Sequence, residues 1–271
     1  MLPLTVVAFT FLFVFAVYLW LVCPSLKKRD VSFLCEKPVA HRGIHDREDV
    51  TENSITAFAL AIKAGLPIEL DVHLTSDGVP VVLHDSSLSR VCGADENISD
   101  LSIAELSKHR FIRGGETIPT LEMVLELVNG QVPLLIELKG EDTSSVAEDT
   151  ARVMAHYVGK YAVQSFNPYY LYRYRKVSPE TPIGILSNRR RGKGLRGKLF
   201  ALFATHLLFN FAYRPDFISY IHSDKMPQSV KLCRKLGAKV LVWTVTDAEA
   251  YSKCTKRYDG VIAEKIAEIT K

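Results

Sequence analysis

The sequence predicts an α/β fold, a TIM-type (β/α)8 barrel with a short hairpin appendage, preceded by one N-terminal transmembrane helix. Three observations lead there. The chain has 271 residues, and setting apart the first two dozen leaves roughly 240, enough for one barrel or two small domains. Strand-like and helix-like segments alternate through that body, and eight of nine strand candidates suit a parallel barrel. Residues Leu2 to Cys23 are predominantly apolar and carry no side chain that is charged at neutral pH, Tyr18 being neutral there.

That N-terminal run has twenty-two positions, about the length at which a helix crosses hydrocarbon. A secretory signal normally opens on positive charge and ends at a small-residue cleavage site. Here no Lys or Arg precedes the run and CPSLKKRD follows it, so a retained anchor is expected. Lys27, Lys28 and Arg29 come directly after, which places the body of a single-pass membrane protein in the cytoplasm, with Tyr18 and Trp20 near the same interface. The expected division is 2–24 for the membrane helix, 25–37 for a linker and 38–271 for the barrel domain.

From Pro38 the order is a strand to His41, a helix over 53–64 ended by Gly65, a strand over 68–74, the turn Ser76-Asp77-Gly78 and a strand over 79–83. An Asp-Gly turn of a few residues joins antiparallel neighbours, whereas parallel neighbours need a dozen or more connecting residues. The strand over 79–83 is therefore the appendage. Residues 86–119, rich in Asp and Ser with one weak helix, read as a surface excursion near the active face. A helix over 121–128, the strand LLIEL, a helix over 144–158 and the strands AVQSF, IGIL and FISY follow. A helix over 228–236, the strand VLVWTV, a helix over 247–256 and the strand GVIAE complete the pattern. The alternation alone suits an open doubly wound sheet equally well; the count of eight turns the choice to the barrel.

Cys23, Cys35, Cys92, Cys233 and Cys254 are odd in number and lack paired metal-type spacing, so they read as small apolar residues in a reduced compartment. Net charge is +4, yet Arg189 to Lys198 carries six positive charges and no negative one, which leaves the rest at about −2. The apolar stretch LFALFATHLLFNFAY follows it, a pairing that suits an anionic membrane surface better than nucleic acid. The same stretch is also placed to be the outer helix between IGIL and FISY, and an apolar face shared between barrel and bilayer is expected. There is no G-x-G-x-x-G and no Walker-type loop, hence no sign of a nucleotide cofactor.

His41-Arg42-Gly43 ends the first strand and His84-Asp85 ends the hairpin arm. In a barrel, polar residues at the carboxyl ends of strands face the site. Glu69, Asp71 and His73 alternate in one strand and so share a face. Carboxylates crowded at a barrel mouth call for a compensating divalent cation, and oxygen ligands favour a hard ion, Mg²⁺ or Ca²⁺. Glu137 offers a third carboxylate in LLIELKG, with Lys139 facing the same way; the pair is either a buried ion pair or a metal ligand beside a phosphate-binding cation. Asn53 is a helix cap or a carbonyl near the metal, and Trp243 is a core aromatic or a platform under a substrate's carbon skeleton.

The ordered set HRG (41–43), ENSITAF (52–58), IELDVHLTSDGVPVVLHD (68–85), IELK (136–139), QSF (164–166) and VWTV (242–245) resembles the glycerophosphodiester phosphodiesterase family and, more distantly, phosphoinositide phospholipases C. The likeness spans residues 38–264. It implies a divalent ion held by Glu69, Asp71 and Glu137, with Glu52 at or near the metal, His41 and His84 as the acid–base pair, and Arg42 and Lys139 on phosphate. Thr51 stands where the family usually has Pro, so a looser loop is expected, and Thr246 stands where Asn is common. His73 takes the place of a frequent basic residue and either meets phosphate or points to solvent.

The activity this implies is metal-dependent hydrolysis of glycerophosphodiesters to glycerol phosphate and an alcohol. A second expectation is lysophospholipase D action on lysophospholipids, for which the anchor and residues 199–213 offer an apolar route. An inactive membrane scaffold is a third, opposed by the intact His41, Glu69, Asp71, His84 and Glu137.

Overall fold

Short apolar strands, each followed by a helix with one buried face, close on themselves around a common interior. The computed structural model describes residues 4–27, 29–140, 145–189 and 191–269. Leu2 and Pro3 of the apolar run, Lys28 of the flanking charge, Ser144 of an expected helix, Arg190 of the basic run and the last two residues of the barrel domain lie outside these.

The strands are β1 (Val39–His41), β2 (Ile68–Leu74), β3 (Pro80–Val82), β4 (Leu134–Leu138), β5 (Tyr161–Ser165), β6 (Ile183–Ser187), β7 (Phe217–Ile221), β8 (Lys239–Val245) and β9 (Gly260–Ala263). Eight of them pair in parallel in the order β1-β2-β4-β5-β6-β7-β8-β9, and β9 returns to β1 to close the barrel. β3 lies antiparallel against the end of β2, with Val72 opposite Val82, as the Asp-Gly turn requires. The helices are α1 (Leu4–Val22), α2 (Ile55–Lys63), α3 (Ser89–Cys92), α4 (Ile103–Leu106), α5 (Leu121–Val128), α6 (Val146–Met154), α7 (Pro168–Val177), α8 (Gly194–Thr205), α9 (Asn210–Tyr213), α10 (Gln228–Lys235), α11 (Ala248–Arg257) and α12 (Ile266–Ile269).

Period-two alternation sorts each strand into two faces. Ile68, Leu70 and Val72 of β2 join the core between strands and helices, while Glu69 and Asp71 alternate with them and are buried on the other, inner face. Inside the barrel, Val39, Leu135, Ala162, Phe217, Leu241 and Ile262 form an apolar floor. Val31, Phe33 and Leu34 close that floor, so the stretch expected as a linker packs into the barrel. Gly184 makes room for it: a Cβ there would stand 2.2 Å from the Phe217 ring. Two residues further along the strands come His41, Glu137, Gln164, Ser219 and Trp243. The interior thus changes from apolar to polar towards the carboxyl ends.

Residues 86–119 are more than a surface excursion with one weak helix. α3, α4 and a 3₁₀ turn at Ile98–Asp100 enclose their own cluster, in which Leu88, Ile98, Leu106 and Phe111 pack on Val81 and Leu83 of the hairpin arm. α7 is absent from the sequence reading. Asn167 caps it, accepting from the Tyr169 amide, and Pro168 fills its first position.

α1 leaves the barrel as an almost fully exposed helix in which Val22 is the one buried residue. Its end is nonetheless fixed. Asn210 Nδ2 and Cys233 Sγ donate to the Val22 carbonyl at 2.9 and 3.2 Å, and Arg214 Nη1 donates to the Trp20 and Cys23 carbonyls, each at 2.8 Å.

Candidate active site

The turn after β1 sets the first group of side chains. Arg42 and Asn53 both adopt left-handed backbone, with φ 58° and 56°, and Gly43 follows at φ 81°. A Cβ at Gly43 would stand 2.8 Å from the Ala57 carbonyl carbon, so α2 can approach only a glycine. The two left-handed residues are tied together by the Asn53 amide donating to the Arg42 carbonyl at 3.0 Å. Ser54, not Asn53, caps α2 by accepting from the Ala57 amide. Asn53 is fully buried, and its Nδ2 donates to Asp71 Oδ2 at 2.9 Å. Thr51 does not loosen the loop: it is buried and its hydroxyl donates to the Arg113 carbonyl at 2.8 Å.

Glu69, Asp71 and Glu137 meet at the carboxyl ends of β2 and β4, where Asp71 lies in register with Glu137. One oxygen of each lies within 4.8 Å of the others, and all three are buried. Two cations serve them. Lys139 Nζ is 3.2 Å from both Asp71 Oδ1 and Glu137 Oε1, while Arg42 Nε is 3.3 Å from Asp71 Oδ2 and the Arg42 amide donates to Glu69 Oε2 at 3.2 Å. The ion pair anticipated between Glu137 and Lys139 is therefore present, inside a larger network.

Burial and the neighbouring Asp71 and Glu137 carboxylates push Glu69 well above the usual carboxylate range. Burial also lifts Glu137 to about 7, against the pull of Lys139. Asp71 behaves oppositely: burial alone would raise it, but Lys139 and Arg42 outweigh that and hold it at about 2. Fully ionised, three carboxylates against two cations would carry excess negative charge; burial and that excess make Glu69 and Glu137 hold their protons strongly. Among the described residues Asp71 Oδ1 accepts no hydrogen bond and is met by the Lys139 ammonium alone, at 3.2 Å. An all-oxygen donor set of three converging carboxylates, two of them with acidities suppressed by burial and mutual repulsion, fits a divalent cation.

Glu52 stands beside this cluster rather than in it. Arg42 Nη1 donates to its Oε1 at 2.8 Å, and Arg90 Nη2 donates to the same oxygen at 2.7 Å. His73 does not point to solvent: it is buried at the wall of the larger cavity beside the site, with Nε2 3.1 Å from the His84 carbonyl, and burial lowers its pKa.

The two histidines expected from sequence each have a carboxylate on Nδ1. His41 pairs with Glu264 Oε1 at 2.6 Å and His84 with Asp85 Oδ1 at 2.6 Å. The hydrogen bond from His41 lowers the Glu264 pKa; for Asp85, burial is outweighed by the bonds from Arg90 and His84. Both carboxylates are thus ionised acceptors near neutral pH, which makes Nδ1 the donor and leaves Nε2 of each ring free for chemistry. Burial lowers the His84 pKa, and Lys139 and Arg42 add to that against the opposing pull of Asp71.

His41, Arg42, Glu69, His84, Glu137 and Lys139 all line one cavity of about 80 Å³, together with Gln164, Phe166 and Trp243. Trp243 is half-buried; its Nε1 donates to the Ser219 carbonyl at 3.1 Å and its ring meets Phe166 edge-on, with centroids 5.4 Å apart. A second cavity of about 490 Å³ shares Glu137, Lys139 and Phe166 and extends along His73, Ser165 and Tyr170. The arrangement brings together every residue singled out from sequence except Glu52, which reaches it through Arg42. Reading the sequence missed Glu264, Arg90, Gln164 and Phe166 as members. Position at a strand end marked Glu264, and the QSF run marked Gln164 and Phe166.

Residues 41–268 match the glycerophosphoryl diester phosphodiesterase family. The chain is 30% identical over 241 residues to a glycerophosphodiester phosphodiesterase of Caldanaerobacter subterraneus, covering 83% of this chain and 93% of that protein. It is 40% identical to a human lysophospholipase D over 82 residues, 30% of this chain and 26% of that one. Among solved structures, an Oleispira antarctica phosphodiesterase in complex with the product sn-glycerol-3-phosphate superposes with a TM-score of 0.69 at 27% identity, covering 86% of this chain and 94% of that one. The barrel, the buried carboxylates at its carboxyl end and these likenesses agree: the chain belongs to the glycerophosphoryl diester phosphodiesterase family.

Proposed function

We propose that this chain hydrolyses glycerophosphodiesters to glycerol phosphate and the released alcohol, with His41 and His84 as the acid–base pair. The observation that carries the reading is that both histidines, each oriented by a carboxylate, open onto the same cavity as Arg42, Lys139 and the three buried carboxylates. One imidazole Nε2 takes the proton from the attacking oxygen, either water or a neighbouring substrate hydroxyl whose cyclic phosphate water then opens, while the other gives a proton to the departing alcohol oxygen. Arg42 and Lys139 neutralise the phosphoryl oxygens as charge builds on them. Trp243 supports the glycerol carbons, and the larger cavity beside Phe166 receives the second substituent. Glu69, Asp71 and Glu137 are the residues that would hold Mg²⁺ or Ca²⁺; bound there, the cation would polarise a phosphoryl oxygen. Glu52 and Asn53 position Arg42 and Asp71.

α1, with no charged side chain and nearly all its surface exposed, is the membrane anchor in this reading, and Lys27 and Arg29 at its end put the barrel on the cytoplasmic side. The exposed apolar surface and the local likeness to a human lysophospholipase D support a second substrate class, lysophospholipids. The test is turnover of glycerophosphocholine and lysophosphatidylcholine side by side, after chelation and after return of Mg²⁺ or Ca²⁺. Release of choline from glycerophosphocholine that is lost on chelation and restored by metal is expected. Turnover of the lipid alone replaces the first substrate class by the second, and chelator-insensitive turnover removes the metal role.

A further inference from the structure

α8 is an outer helix of the barrel that barely packs on it. Of its twelve residues Ala201 is the one that is buried. Leu195, Leu199 and Leu202, spaced to form one stripe along the helix, are 76%, 49% and 50% exposed, and Phe200 is 46% exposed. An ordinary barrel helix turns such a stripe inward; here it is turned out. Arg189, Arg191, Lys193, Arg196 and Lys198 surround the start of the helix, all exposed, and among the described residues none forms an ion pair with a carboxylate. Arg189, Arg191, Lys198 and His206 line a surface groove of about 460 Å³ with Leu202 at its edge.

The placement of this surface relative to α1 follows from the topology. β6 ends at the catalytic rim, so the basic residues that follow it lie at that rim, and α8 runs back towards the opposite end, where α9 leads into β7. The end of α1 is fastened there: Trp20 stacks on Phe211 with centroids 4.9 Å apart, and the Arg214 guanidinium lies 5.7 Å from the Trp20 ring. An exposed apolar strip therefore continues from α1 through Trp20 and Phe211 along α8 to the cationic groove beside the mouth of the barrel.

We propose that this strip lies on an anionic phospholipid bilayer, the leucines and Phe200 entering the acyl region and the groove taking acidic headgroups, so that the barrel rests on its side with its mouth beside the lipid. The occupant follows from charge and continuity: the cations need anionic partners, and the apolar strip extends the outer surface of the anchor. The inference rests on the reading of α1 as a membrane helix. A side-lying barrel gives a lysophospholipid a short path from the bilayer to the site.

The test uses the full chain in nanodiscs of phosphatidylcholine with and without phosphatidylserine, with an environment-sensitive fluorescent amino acid placed in turn at Val14, Leu195 and Ala59. Val14 reports the anchor, Leu195 the strip, and Ala59, exposed on α2 across the barrel, is the control. Quenching by lipids brominated in the acyl chain is read. Expected is strong quenching at Val14 in both discs, strong quenching at Leu195 only with phosphatidylserine at low salt, and none at Ala59. The quintuple variant R189Q/R191Q/K193Q/R196Q/K198Q loses quenching at Leu195 and keeps it at Val14. Quenching at Val14 with none at Leu195 overturns the side-lying surface and leaves the strip to a protein partner. Quenching at Leu195 that survives in neutral discs, or in the variant, overturns the anionic headgroup role. No quenching at Val14 overturns the anchor on which both rest.

Discussion

The barrel buries two charge networks, one at each end, and they differ in how completely they are satisfied. At the amino end Asp216 Oδ1 accepts from Arg29 Nη1 at 3.0 Å, and its Oδ2 accepts from Arg175 Nη2 at 2.6 Å and from the Ile183 amide at 2.9 Å. The two cations and one carboxylate tie Arg29 and α7 to the start of β6. At the carboxyl end three carboxylates share Arg42 and Lys139, an Asp71 oxygen lacks a hydrogen bond, and Glu69 is pushed towards its neutral form. A network whose members satisfy one another holds structure; one whose acidities are driven apart by burial and crowded charge is arranged for something yet to bind.

The largest separation between the two ends lies in turnover. His41→Ala and His84→Ala should each lower kcat by roughly 10²–10⁴-fold, the usual contribution of a general acid or base. Circular dichroism and thermal unfolding should stay as in the parent, because each ring is only partly buried and leaves the carboxylate cluster in place. A parent-like kcat in either purified variant would break the functional half of the comparison.

Asp216→Ala tests the other half. It leaves two partly buried guanidinium groups without their carboxylate, though each keeps a backbone acceptor, and the Ile183 amide without an acceptor, a loss of about 3 kcal/mol in unfolding free energy. Activity per folded molecule should not change, since Asp216 lies a full strand length from the histidines. Urea unfolding followed by two probes measures the first and active-site titration the second; a stable but inactive Asp216→Ala would mean that the two ends are not independent.

Glu69→Gln should give the reverse pattern. Glu69 is already pushed towards its neutral form in the metal-free protein, so an uncharged isostere in its place leaves that state as stable as the parent or more so. Divalent affinity should fall by roughly 10–100-fold or more, the range for groups that merely support a ligand being the lower bound. Calorimetric titration with Mg²⁺ and Ca²⁺ reads it, and unchanged affinity together with lost stability would turn the cluster into a structural one like that around Asp216.

How far the sequence disclosed these arrangements depended on where the signal lay. β2 was legible to the residue and its hairpin arm to within one residue at each end, because alternation and an Asp-Gly turn are both local, and the same alternation put Glu69 and Asp71 on one face. α7 escaped because tyrosines carry its buried face: Tyr170, Leu171 and Tyr174 pack inward while Arg173 and Arg175 interrupt any apolar run, although Asn167-Pro168 marked its start. The core of residues 86–119 is built from apolar residues scattered singly between turns, a pattern without a period. His41 and Glu264 lie 223 residues apart, and only closure of the barrel brings β9 beside β1. Asp85 adjoins His84 in sequence and could have been named as its partner.

That pairing carries the smallest of the expected effects. Burial, Lys139 and Arg42 hold the His84 pKa below its ordinary value, and the bond to Asp85 is one of the influences that opposes them. Asp85→Asn removes the negative charge but keeps a carbonyl able to accept from Nδ1–H, so the ring stays oriented while that opposing influence weakens. The His84 pKa therefore moves down further. If His84 is the base, it must be neutral, and the acid limb of kcat/KM moves to lower pH; if it is the acid, it must be protonated, and the basic limb moves to lower pH. Both assignments give a displacement in the same direction, with the limb that moves naming the role. Arg90 stays paired with Glu52 in the variant, so Arg42 keeps its support and the maximal kcat should fall far less than in His84→Ala. A profile of kcat/KM against pH for parent and variant decides it. A limb displaced to higher pH, or a profile that does not move at all, would mean that Asp85 serves Arg90 and the fold of residues 86–119 rather than the titration of His84.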